Sequence, residues 1–220
     1  MQEQGFAVAA YAGSVFEQSW YIRGMEDLMM DLAAAPEVAH YFFERTAALQ
    51  QRAAAEFARA GVDIIITGDD IAGQNGLLMS LETWREFLKP RLAATVQAVK
   101  RANPAAKVFY HSDGNVEPAI PGLIEAGIDI LNPVQPECME PAAIKRKYGD
   151  RLSFWGTVSV QRTMPFGTPE SWMTEGTRCI AMRPSMLMVG VTRRVMPVCT
   201  LEYACVMVCT PLAMFTVCWS

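Results

Sequence analysis

The stretch KVFYHSDGN, Lys107–Asn115, decides how the chain is read. An apolar run closes on His111, Ser112, Asp113 and Gly114, in a chain of 220 residues that holds only two histidines. Ionisable side chains crowded at the end of a buried strand cost stability unless they are paired or used. The same device recurs in IIITGDD (Ile64–Asp70), DILNPVQP (Asp129–Pro136) and SFWGTVSVQ (Ser153–Gln161), each apolar first and polar last. Strands that carry chemistry at one common end are the pattern of a (β/α) barrel, whose sites sit at the C-terminal face. Open doubly wound sheets also bind at strand ends, but at one crevice, and the chain lacks both G-x-G-x-x-G and G-x-x-x-x-G-K-[ST].

Helical signals separate these strands. Residues 31–60 are alanine-rich, with Val38, Phe42, Leu49, Ala53 and Phe57 spaced as one apolar stripe, and Gly61 follows as a helix terminator. Ser80 is placed to cap LETWREFLKPRLAATVQAVKRA, with Pro90 set to kink or split that helix. A short helix is expected around Pro121–Glu125, another opens at Thr168-Pro169-Glu170, and a last strand is expected near Ser185. The unit AGVDII at Ala60 returns as AGIDIL at Ala126. Helix alternating with strand, and no hairpin signal, predicts a parallel sheet and an α/β fold.

The length suits one domain, residues 1–220. A net charge of −4 leaves no basic footprint, which argues against nucleic acid as a partner. The N-terminus has no charged segment before its apolar stretch, so it does not read as a secretory signal and a cytoplasmic protein is expected. Cys138 stands alone, and Cys179, Cys199, Cys205, Cys209 and Cys218 fall in the last quarter without a C-x-x-C pair. Free thiols are expected. Residues 203–219 carry no charge, but Pro211 interrupts them, which favours a buried terminal segment over a membrane helix.

Three long segments, GVDIIITGDDIAGQNGLLMS, KVFYHSDGNVEPAIPGLIEAGIDILNPVQP and GDRLSFWGTVSVQRTMPFGTPE, resemble the uroporphyrinogen decarboxylase superfamily in its own order. That superfamily comprises haem-pathway decarboxylases and corrinoid-dependent methyltransferases, all on a TIM barrel. The likeness is clear through residue 170. Residues 171–220, with LMVGVTRRVMP and LEYA, resemble an altered last strand and turn. Family members are longer and begin earlier, and a complete barrel takes about 250 residues. An incomplete (β/α)8-type barrel with five or six of eight strands is therefore expected, and its exposed sheet edges invite self-association.

What the resemblance implies for the site starts at His111. In the methyltransferase branch a His-x-Cys at this strand end holds zinc, with a later Cys or His as a third ligand. Here Asp113 takes the Cys position, so the resemblance implies zinc on His111 and Asp113. The third position is Arg193, whose guanidinium stays protonated and cannot ligate. Asp69 and Asp70 are further catalytic candidates, and since adjacent strand residues face opposite ways, only one of them reaches the barrel mouth. Gln74, Asn132, Gln135 and Gln161 are neutral donors and acceptors suited to orienting a substrate, and Tyr11 resembles a substrate-facing tyrosine. Glu17 and Arg23 either line the pocket or form an ion pair, the pair being favoured; Trp155 is expected to pack the barrel, and His40 to be a surface or packing residue.

Three functions remain open. A methyltransferase-like enzyme moves a methyl group between a corrinoid, delivered by a corrinoid protein, and a small acceptor; HSDG favours it. A cofactor-free decarboxylase of uroporphyrinogen, in porphyrin biosynthesis, holds the same tetrapyrrole-sized ligand, but the arginine-bearing loop that grips its carboxylates is missing. The third is an inactive fragment of such an enzyme.

Overall fold

The computed structural model describes residue 2 and residues 7–171, 187–188 and 207–209. The chain opens with β1 (Ala7–Tyr11), followed by α1 (Phe16–Arg23), α2 (Met25–Ala34) and α3 (Pro36–Arg59). Next come β2 (Ile64–Gly68), a small hairpin of β3 (Ala72–Gly73) and β4 (Gly76–Leu77), α4 (Leu81–Phe87) and α5 (Lys89–Ala102). The remaining units are β5 (Lys107–His111), α6 (Ile120–Ala126), β6 (Ile130–Asn132), α7 (Pro141–Tyr148), β7 (Ser153–Trp155), α8 (Thr163–Phe166), β8 (Leu187–Met188) and β9 (Met207–Cys209).

One sheet runs in the order β8-β7-β6-β5-β2-β1-β9. Five strands, β1, β2, β5, β6 and β7, lie parallel, β8 extends that run, and β9 pairs antiparallel with β1. This is the expected barrel-type sheet, not closed: β8 and β9 end it without pairing to each other among the described residues. Alternate strand residues divide two cores, as the pleat requires. Ala9, Ile64, Phe109, Ile130 and Trp155 form the inner cluster. Ile65, Val108, Tyr110, Leu131 and Phe154 point outward into the helices. Trp155 meets Phe109 edge-on at 5.4 Å, the packing role expected of it. Among the described residues no helix is long and apolar enough to cross a membrane.

Ser80 caps α4 by accepting from the Thr83 N–H at 3.0 Å, and the helix breaks at Leu88, so that Pro90 enters the first turn of α5. The stripe expected on the long helix is displaced by one residue. Ala39, Phe43, Thr46, Ala47, Gln50, Ala54 and Ala58 are the buried face, while Leu49 is 61% exposed. Two polar residues belong inside because they are paired there. Gln50 Nε2 donates to the Gly13 carbonyl (2.8 Å) and Thr67 Oγ1 (2.7 Å), and its Oε1 accepts from Thr95 Oγ1 at 2.9 Å. His40 stacks on Phe87 at 4.4 Å and contacts Arg91, a packing residue as expected. The hairpin β3–β4 is a second correction to an expectation of helices and parallel strands alone. Its signal was present in GQNG, two loop residues bounded by glycines.

Of the stretch SFWGTVSVQ only Ser153–Trp155 is strand; Gly156 turns the chain away with φ +124°. A helical turn does begin at Pro169. Arg193, Cys179, Cys199, Cys205, Cys218 and the uncharged tail apart from β9 lie outside the described residues. Cys138 is a free, half-buried thiol.

Candidate metal centre at the strand ends

The register of the sheet brings the polar strand ends side by side. Gly68 of β2 pairs with His111 of β5, and His111 pairs with Asn132 of β6. The loop after His111 is held from several directions. The buried Ser112 Oγ accepts from the Ile71 N–H at 3.2 Å, and the Asn115 N–H donates to the Gly73 carbonyl at 2.8 Å. Gly114 sits in the left-handed region at φ +79°, and a Cβ there would lie 2.6 Å from the carbonyl oxygens of Ala72 and Gly73. Only glycine satisfies both demands. The hairpin thus clamps the HSDG loop from above.

Within this frame Asp70, His111 and Asp113 each offer a ligand atom, all within 4.8 Å of one another. Asp70 Oδ1 accepts from the Asp113 N–H at 2.9 Å and lies 3.7 Å from His111 Nε2. His111 Nδ1 lies 2.6 Å from Asn132 Oδ1, and Asn132 Nδ2 donates to the Trp155 carbonyl at 2.6 Å. His111 and Asp113 therefore do not bond each other; each is held by a different neighbour. Desolvation pushes the Asp113 carboxyl up, with the adjacent His111 pulling it back.

The two adjacent aspartates, just past the end of β2, have different partners. Asp69 is buried and its Oδ1 accepts from the backbone N–H groups of Val15 (2.9 Å), Phe16 (2.6 Å) and Glu17 (3.3 Å). It caps α1, whose own N-cap position holds Val15 and no side-chain acceptor. Its Oδ1 is engaged by that helix end. Burial pushes it up to about 8, with the nearby Glu17 charge adding and the three N–H donors pulling it back.

For Glu17 the favoured ion pair is the reading the structure corrects. Arg23 pairs instead with Asp31 (2.8 Å) and Asp27 (3.1 Å). Residues six apart on a helix leave it about 240° around, so Glu17 and Arg23 were never neighbours; that spacing was the available signal. Glu17 turns toward the cluster, where its charge interacts with Asp70, His111 and Asp113. Burial raises its carboxyl, and Asp70 raises it further.

The remaining candidates divide. Gln135 is buried and its Oε1 accepts from the Gly114 N–H at 3.0 Å, so it supports the loop. Gln74 is exposed at the hairpin tip. Gln161 is exposed, and its backbone N–H donates to Glu137 Oε1 at 3.2 Å. Tyr11 ends β1 on the same face of the sheet and is 41% exposed.

The family model described as uroporphyrinogen decarboxylase (URO-D) matches residues 2–208. A methylated-thiol–coenzyme M methyltransferase of Methanosarcina mazei is 26% identical over 168 residues, which is 75% of this chain and 42% of that protein. A solved methyltransferase from Methanosarcina mazei superposes with a TM-score of 0.66 at 21% identity, over 76% of this chain and 48% of that one. The chain spans less than half the length of either relative.

Proposed function

The chain belongs to the uroporphyrinogen decarboxylase family, and on that premise we propose that it is a methyltransferase-like member that transfers a methyl group between a corrinoid and a small thiol. The observation that carries the reading is the convergence of Asp70, His111 and Asp113 at the strand ends. One imidazole and two carboxylates are an acceptable donor set for zinc, and three protein ligands leave a position open for a substrate. Tetrahedral ligands with bonds of about 2.1 Å stand about 3.4 Å apart, so the three atoms need to close by little more than an ångström. In this proposal Asp70 completes the set that Arg193 cannot.

When bound, such a cation lowers the pKa of a thiol placed at its open position. The chain's own groups supply the rest. In this reading Glu17, its carboxyl raised by burial, takes up the thiol proton. Gln135 and the hairpin hold the Asp113 loop, and Phe109 with Trp155 forms an apolar floor beneath His111 that keeps water from the inner side. The corrinoid and its carrier protein enter as the methyl-bearing substrate, by analogy with the methyltransferase relatives.

The test is metal content and methyl transfer from methylcobalamin to a small thiol, with the purified chain beside His111→Ala. Zinc near one equivalent, with affinity at least tenfold weaker in His111→Ala, is the expected outcome. A cooperatively folding chain that holds no zinc and transfers no methyl group overturns the reading. Consumption of uroporphyrinogen by that same chain would move it to the decarboxylase side of the family.

A further inference from the structure

Neutral histidine offers one donor nitrogen and one acceptor nitrogen, and which is which decides what the ring can bind. At His111 the neighbours determine the answer. The Trp155 carbonyl can only accept, so the atom of Asn132 that lies 2.6 Å from it must be the amide nitrogen. That fixes the orientation of the whole side chain and turns Oδ1 toward His111. An amide oxygen can only accept, so the His111 nitrogen 2.6 Å away carries the proton. The tautomer is Nδ1–H. The unprotonated Nε2 then points to the other side of the ring, where Asp70 Oδ1 stands 3.7 Å away.

We infer that Asn132 is a positioning residue, which reads the Trp155 backbone on one side and on the other locks His111 in the tautomer whose Nε2 faces Asp70 and Asp113. The expectation that Asn132 orients a substrate concerns this same amide, whose oxygen and one N–H are engaged by His111 and the Trp155 carbonyl. The geometry follows from the register: His111 and Asn132 are cross-strand partners on the inner face, and Trp155 lies one strand further on. A hydrogen bond that fixes ring orientation raises the basicity of the opposite nitrogen and so strengthens it as a ligand. The tautomer follows from the hydrogen bonds alone; its consequence for metal affinity rests on the proposed function.

The experiment is nitrogen-15 NMR of the histidine side chains in the full chain at about pH 8, metal-free, followed by titration with Zn²⁺ alone. Only His40 and His111 contribute, and a His111→Ala spectrum assigns them. The wild-type chain is expected to show Nδ1 protonated and Nε2 bare at His111. Asn132→Ala is expected to populate the other tautomer and to weaken Zn²⁺ binding by about 10–100-fold. Asn132→Asp retains an acceptor for Nδ1–H while losing the donor to the Trp155 carbonyl, and is expected to keep the wild-type tautomer, which separates the His111 hydrogen bond from the Trp155 contact. Wild-type His111 protonated at Nε2 overturns the inference, as does an Asn132→Ala spectrum with the tautomer unchanged. A shifted tautomer with unaltered Zn²⁺ affinity overturns the positioning role. The expected tautomer in a wild-type chain that binds no Zn²⁺ supports the hydrogen-bond assignment while removing the metal reading itself.

Discussion

Asp69→Ala is expected to cost about 3–4 kcal/mol of folding stability, read as a lowered midpoint in a urea titration at unchanged slope. The carboxyl accepts from three consecutive N–H groups at the start of α1, two of them in buried contacts. Losing a helix cap costs about 1 kcal/mol at an exposed helix end, and each buried donor left without an acceptor costs a further 1–3. Asp69→Asn is the informative companion. Burial holds the Asp69 carboxyl up at about 8, above its ordinary 3.8. Between those limits the folded state keeps a proton that the unfolded chain has released, so stability falls as pH rises through that window and levels off above about 8. Asparagine presents the same acceptor oxygen without a titrating proton. It is expected to hold stability close to wild type at neutral pH and to remove this part of the alkaline decline. A flat profile in the wild-type chain would show that the carboxyl stays ionised in the fold.

Gly68→Ala is expected to damage both fold and site. A Cβ at this position would lie 2.3 Å from the His111 carbonyl oxygen, 2.7 Å from its nitrogen and 2.8 Å from its Cβ. Two of those three atoms are backbone, so no side-chain rotation relieves the overlap, and β2 must move away from β5. Overpacking of this kind costs about 3 kcal/mol. The displacement falls on the strand pair that carries Asp70 and His111, so Zn²⁺ affinity should drop at least tenfold even where the variant folds. A chain with wild-type stability and metal affinity would show that the two strands can part at this point without consequence.

The barrel-type sheet was legible because its evidence is periodic: apolar strands, each closing on polar residues, separated by helical stripes. His111, Asp70 and Asp113 were legible for the same reason, since strand-end polarity is a local pattern. What escaped was what the third dimension alone supplies. Gln50 lies inside because Gly13, Thr67 and Thr95 reach it, and Thr46 because Ser19 and the Val15 carbonyl do, all from other parts of the chain; a stripe drawn from apolar residues therefore slipped by one. The division of labour between Asp69 and Asp70 was foreseen as an alternation, but not which aspartate took which partner; that depends on where α1 begins. Asn132 and Gln135 looked like ligand-binding amides because their partners, the Trp155 carbonyl and the Gly114 N–H, are backbone groups, and backbone partners leave no trace in composition.

The separation of the two aspartates also bears on how such a scaffold diversifies. The helix that follows β1 is anchored by Asp69, and the fold's demand ends with that residue. The next position answers to different requirements: a short acceptor for the Asp113 N–H and whatever the bound species asks for. Selection can therefore rewrite position 70, together with 111 and 113, while leaving the anchoring of the first helix intact. A dipeptide with one foundation residue and one replaceable residue gives a single barrel a route to several chemistries, each reached by substitutions that the architecture does not register.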